Sequence, residues 1–168
     1  SQDRGSAGHV DAQLVHAHGM AAMITLLIAI VFGIIISLQF FLPDLMGTWL
    51  PMGWGRLRYA HTQGIMLGWL GNAFLAFLYH AIPVLTGRPV TSHKLGVWLF
   101  GIWNFAVMLP GWILVLAGIS QPLEWAEFPL AVDAVVIVAF VMAAVQFLPP
   151  FFRRGLENLY VSSWYIIG

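Results

Sequence analysis

His61 begins a stretch in which residues lacking side chains recur on its own side of a helix. At about 100° per residue, His61, Gly64, Gly68 and Asn72 fall within an arc of about 80°. An imidazole above two glycines leaves a flat slot beside the helix. A flat ligand whose metal binds a ring nitrogen would fill it, and haem with histidine as axial ligand has that shape. Arg56 and Arg58 lie just before His61, where guanidinium groups can pair bidentately with carboxylates such as haem propionates. The spacing supports a second reading as well. Gly64-x-x-x-Gly68 is also a motif through which membrane helices pack closely.

The other histidines constrain the site. His80 stands 19 positions beyond His61, about 28 Å along a helix, so the two cannot share one metal. His16 and His18 belong to the opposite end of the first apolar run, and His93 to a loop. They could meet His80 at the inner face, or be solvated or capping residues there. A second axial histidine for His61 is therefore expected outside this sequence. No cysteine is present, which removes disulfides, thiolate metal sites and covalent c-type haem attachment within the chain.

The elements that must position these residues follow from charge. The 168 residues are 60% hydrophobic and only 8% charged, against about 25% charged in a typical soluble domain. Seven basic residues balance seven acidic ones, so the basic footprint of a nucleic-acid binder is missing. Gly19 to Leu42, Tyr59 to Thr86 and Leu95 to Leu123 hold no charge, and Phe128 to Phe152 holds only Asp133. Each run exceeds the roughly 20 residues that cross a bilayer core. Lipid offers no partner to backbone polar groups, so each must be helical. The expectation is an all-α integral membrane bundle in one domain. Its helices are expected near 16–42, 56–83, 95–119 and 129–151, with a fifth opening at 159–168. The first run is longer than a signal peptide's core, and its leader carries two acids against one arginine. The chain is read as the first part of a longer membrane protein.

Loop charges set the orientation. Arg88 and Lys94 mark one loop as cytoplasmic and Arg153 and Arg154 another, which places the N-terminus on that side too. The loop carrying Glu124 and Glu127 has no basic residue and faces out. Arg56 and Arg58 break this pattern on the outer side, which implies that they bind something anionic. Trp49, Trp54, Trp112 and Trp125 fit an outer aromatic belt.

Trp54-Gly55-Arg56-Leu57-Arg58-Tyr59-Ala60-His61-Thr62, followed by Gly71-Asn72, resembles the second helix of the haem-copper oxidase superfamily. It looks closest to subunit I of cbb3-type cytochrome c oxidases, with the nitric oxide reductase large subunit as near relative. Leu38 to Asp44 is similar to the exit of that family's first helix. Leu123 to Glu127, with Asp133, is similar to its outer glutamate motif, and Tyr160 to Tyr165 to the start of its fifth helix. The resemblance implies that His61 is one axial ligand of a low-spin haem b and that Arg58 and Arg56 hold its propionates. It implies that Glu124 binds a calcium ion, with Glu127 as a second acid in that region. A high-spin haem and copper would belong to the full protein, on later helices, so no catalytic residue is expected in this stretch. The implied whole is a respiratory terminal oxidase of the bacterial inner membrane. Its partners would be the remainder of subunit I, c-type cytochromes and the lipid bilayer. Two other readings stand beside it: a nitric oxide reductase large subunit, and a non-catalytic membrane subunit in which His61 is structural.

Overall fold

The structure is a computed structural model and describes residues 9–46 and 48–168. The leader residues Asp3 and Arg4, counted above against a signal peptide, lie outside the described residues. Four helices are long and apolar enough to cross a membrane: α1 (Ala12–Gln39), α2 (Trp54–Thr86), α3 (His93–Ala117) and α4 (Leu130–Arg154). A short α5 (Val161–Ile167) follows a 3-10 turn at Leu156–Asn158. The described residues contain no strand.

Local chemistry explains the ends. Asp11 caps α1 by accepting from the Leu14 amide at 3.2 Å, and Ser92 caps α3 by accepting from Leu95. The φ angles of Gly87 (63°) and Gly118 (91°) lie in the left-handed region that closes α2 and α3, where only glycine fits without strain. α2 begins about two residues before the expected start and runs three beyond the expected end, to that glycine cap.

α1 packs along α2, α2 also touches α3 and α4, and α3 lies against α4. Two apolar clusters fill the bundle. One gathers Leu75, Tyr79, Ile82, Leu99 and Phe147 towards the end of the bundle where α1 begins, the other Ala60, Val107, Met108, Phe128 and Val132 towards the opposite end. Most remaining large apolar side chains point outward, as in a bundle whose solvent is hydrocarbon.

The α1–α2 contact is a ladder of small residues. A methyl group built on Gly68 would press on Thr25, and one on Gly64 on Ala29, while Gly33 lies against the His61 ring. Thr25, Ala29 and Gly33 recur every four residues on α1, so the two antiparallel helices approach closely along their length. Midway, α2 winds as a π-helix over Gly64–Gly71, and α3 does the same over Ile102–Met108. Two tryptophans of α3 tie into this region. Trp112 Nε1 donates to the Ala60 carbonyl and Trp103 Nε1 to the Leu67 carbonyl, both at 2.9 Å.

Candidate haem-binding site

His61 sits in the second turn of α2 and leans onto α1. Its Nδ1 lies 2.8 Å from the Ala29 carbonyl oxygen. A carbonyl only accepts, so Nδ1 carries the proton and Nε2 keeps a free lone pair. The ring rests on the bare backbone of Gly33, where a Cβ would stand 2.8 Å from Cε1. His61 borders a groove of about 410 Å³ with Ile30, Gly33, Ile34, Ser37 and Leu38. A histidine whose Nδ1–H is fixed by a backbone carbonyl, and whose Nε2 is bare beside an apolar groove, is arranged as metal-ligating imidazoles are. The donor set fits a haem iron.

The slot expected at Gly64 and Gly68 is not there. Ala29 and Trp112 cover Gly64, and Thr25 and Met108 cover Gly68, so both glycines serve close helix packing. His61 opens instead onto the groove along α1 lined by Ile30, Ile34 and Leu38, with Gly33 packed against the ring. A helical wheel drawn from His61 also loses its phase in the π-helical turns, where the winding is wider than 3.6 residues. Asn72 accordingly faces His18 rather than the His61 groove. Gly33 and Ala29 were missed as site residues. The Ala29-x-x-x-Gly33 spacing inside the first apolar run was the available signal.

The two arginines separate. Arg56 Nη1 donates to the Leu116 carbonyl at 2.9 Å and lies over Gly118 at the C-terminus of α3. Its anionic partner in this structure is therefore a helix terminus, whose free carbonyls carry partial negative charge. Arg58 is exposed, with its guanidinium 5.1 Å from the Tyr59 ring, and it lines a polar groove of about 250 Å³ with Tyr59, Leu123, Glu124 and Glu127. The structure thus brings Arg58 and both glutamates to one groove at the end of the bundle where α2 begins.

The glutamates differ in setting. Glu124 is exposed, whereas Glu127 is buried and accepts a hydrogen bond from Gln63 Nε2, two positions after His61. Gln121 organises the loop that carries them. Its side chain donates to Asp133 and to the Ala126 carbonyl, and its backbone amide donates to the Glu127 carbonyl. Among the described residues no three His, Asp or Glu side chains converge closely enough to hold a metal by themselves.

His16, His18, His80 and His93 do not converge. His16 and His80 are exposed, with His16 bonded to its own helix at the Ala12 carbonyl, and His93 pairs with Asp11 at 2.6 Å. Only His18 turns inward. Of the expected aromatic belt, Trp49, Trp54 and Trp125 are exposed, while Trp112 is a packing residue over Gly64.

Residues 13–168 match the family described as cytochrome c and quinol oxidase polypeptide I. The chain belongs to that family. Within this haem-copper oxidase superfamily it is similar to cytochrome c oxidase subunit 1 of Rhodobacter capsulatus, at 28% identity over 70% of the chain and 22% of the relative. It is similar to the cbb3-type cytochrome c oxidase subunit CcoN1 of Stutzerimonas stutzeri, at 27% identity over 66% of the chain and 23% of the relative. A cytochrome c oxidase subunit 1 homolog of Agrobacterium tumefaciens matches at 25% identity over 89% of the chain and 27% of the relative. The chain spans about a quarter of the length of these oxidase subunits.

Proposed function

We propose that the chain is part of the catalytic subunit of a cbb3-like terminal oxidase, and that His61 is one axial ligand of its low-spin haem b. The observation that carries this is the His61–Ala29 hydrogen bond, which leaves Nε2 free beside the Gly33 groove. Haem bound there would accept and pass on single electrons. The chain's own residues orient and neutralise. The Ala29 carbonyl fixes the imidazole tautomer, Gly33 gives the ring its room, and Arg58 offers a free guanidinium to a propionate. Arg56 keeps donors beyond the one given to Leu116 and takes the second propionate role.

Glu124, with Glu127 behind it, supplies hard carboxylate oxygens suited to calcium beside such propionates. Calcium takes about six to eight oxygens, so the remainder come from groups beyond these two side chains. In the whole protein, electrons would enter from a c-type cytochrome, and a high-spin haem and copper would supply the chemistry that reduces oxygen to water, coupled to proton translocation. The bundle lies in the bacterial inner membrane with its N-terminus cytoplasmic.

A reduced-minus-oxidised spectrum of the full protein tests this reading. A low-spin b-type band is expected in wild type and lost in His61→Ala, and a band retained in the variant refutes the ligand assignment. Metal analysis of the same preparation is expected to find copper. Iron in its place would move the protein to the nitric oxide reductase branch.

A further inference from the structure

The inner half of the bundle holds a second polar cluster that the His61 site does not use. His18 on α1 is fully buried. Its Nδ1 lies 2.8 Å from Asn72 Oδ1 on α2. Asn72 and Asn104 of α3 face each other, with Nδ2–Oδ1 distances of 2.9 and 3.1 Å. The remaining bonds fix which way each amide points. Asn72 Nδ2 also donates to the Gly68 carbonyl at 2.8 Å, and Asn104 Nδ2 to the Phe100 carbonyl at 3.0 Å. Both partners are acceptors, so each nitrogen must stand where it does, and Asn72 must present its oxygen to His18.

The histidine tautomer follows. An oxygen acceptor 2.8 Å from Nδ1 requires the proton there, because otherwise two lone pairs would face each other. Nε2 is then a bare acceptor. It is buried and meets no donor among the described residues. The ring is enclosed by Tyr79, stacked at 5.6 Å, and by Phe100, edge-on at 5.1 Å, and neither ring brings a donor to it. An unsatisfied acceptor at membrane depth is costly, and buried polar groups of this kind are ordinarily completed by internal water.

We propose that His18 Nε2 binds an internal water molecule, making His18, Asn72 and Asn104 a hydrated site in the inner half of the bundle. The site is distinct from the His61 groove and stands whether or not His61 carries haem. Nε2 is also the one nitrogen of this cluster able to take up a proton without breaking an existing bond. Tyr79 of α2 stacks on the ring, Phe100 of α3 meets it edge-on, and Asn104 of α3 reaches it through Asn72.

Solid-state nitrogen NMR of the full protein in lipid, with labelled histidine and polarisation transferred from water, tests the proposal. The His18 ring is expected to give one N–H nitrogen and one acceptor nitrogen, the latter receiving polarisation from water, with the exposed His80 as positive control. His18→Phe should remove both signals and so assigns them. A His18 acceptor nitrogen that receives nothing from water while His80 does would overturn the proposal, whether the missing donor were absent or supplied by another part of the subunit. A neutral ring with its proton on Nε2 would overturn it too.

Discussion

Replacing Gly33 with alanine tests whether α1 controls the His61 ring. The added Cβ would stand 2.8 Å from His61 Cε1 and 3.0 Å from Nδ1, closer than such atoms come. Ordinary contact begins near 3.4 Å, so the ring must retreat from α1 by roughly 0.6 Å. The Ala29 carbonyl lies one turn earlier on the same helix. The retreat therefore stretches the 2.8 Å Nδ1–oxygen contact towards roughly 3.4 Å, past the useful range for a hydrogen bond. The loss is about 0.5–1.5 kcal/mol for the bond itself. Loss of a partner that orients a metal-bound histidine typically lowers metal affinity about 10–100-fold. Haem retention during dilution and chelation of the full protein, followed by the low-spin absorbance band, reads the effect. Gly33→Ala should lose haem faster and shift its midpoint potential, and Gly33→Val should do so more strongly. Gly55→Ala is the control, because no atom lies within 4 Å of a Cβ built there. If Gly33→Ala retains haem as wild type does, with an unshifted potential, the His61–Ala29–Gly33 argument fails.

Three further outcomes follow from the packing. Arg56→Gln should shift the haem potential and also lower thermal stability by about 1 kcal/mol through loss of the Leu116 carbonyl contact, whereas Arg58→Gln should shift the potential and leave the melt unchanged; equal melting losses for both would refute the added structural role of Arg56. Glu127→Ala strands the buried Gln63 amide and should destabilise by about 1–3 kcal/mol, with Glu127→Gln recovering much of it, read by thermal denaturation in detergent. Asn72→Leu removes the partner of His18 Nδ1–H and of Asn104 at once and should cost about 1–3 kcal/mol in unfolding titrations; a variant as stable as wild type would show that the cluster is not bonded as described.

Much of the site was legible in the chain because its signals are local. His61 follows two arginines at the mouth of an apolar run, and the glutamates sit in a loop without basic residues; both are patterns within about ten positions. Contacts across helices were less legible. Gly64 and Gly68 looked like open space, because a wheel shows one helix and leaves out its neighbours. Arg56 broke the orientation pattern for a reason on another helix, the carbonyl end of α3. His18 read as an inner-end histidine, yet its burial depends on Asn72, 54 positions away.

The sequence by itself determined the class of molecule. With 8% charge and four uncharged or nearly uncharged runs each long enough to cross a bilayer as a helix, the chain reads as a bundle of membrane helices, which satisfy their backbone groups internally. It also determined which residue types were available for chemistry. Tertiary structure alone decided which atoms do what. The His61 tautomer rests on a carbonyl of α1, the Arg56 partner on the end of α3, and the His18 tautomer on two asparagines from α2 and α3. Hydrogen bonds and steric fit act over about 3 Å between residues far apart in the chain, and a one-dimensional pattern does not carry those distances.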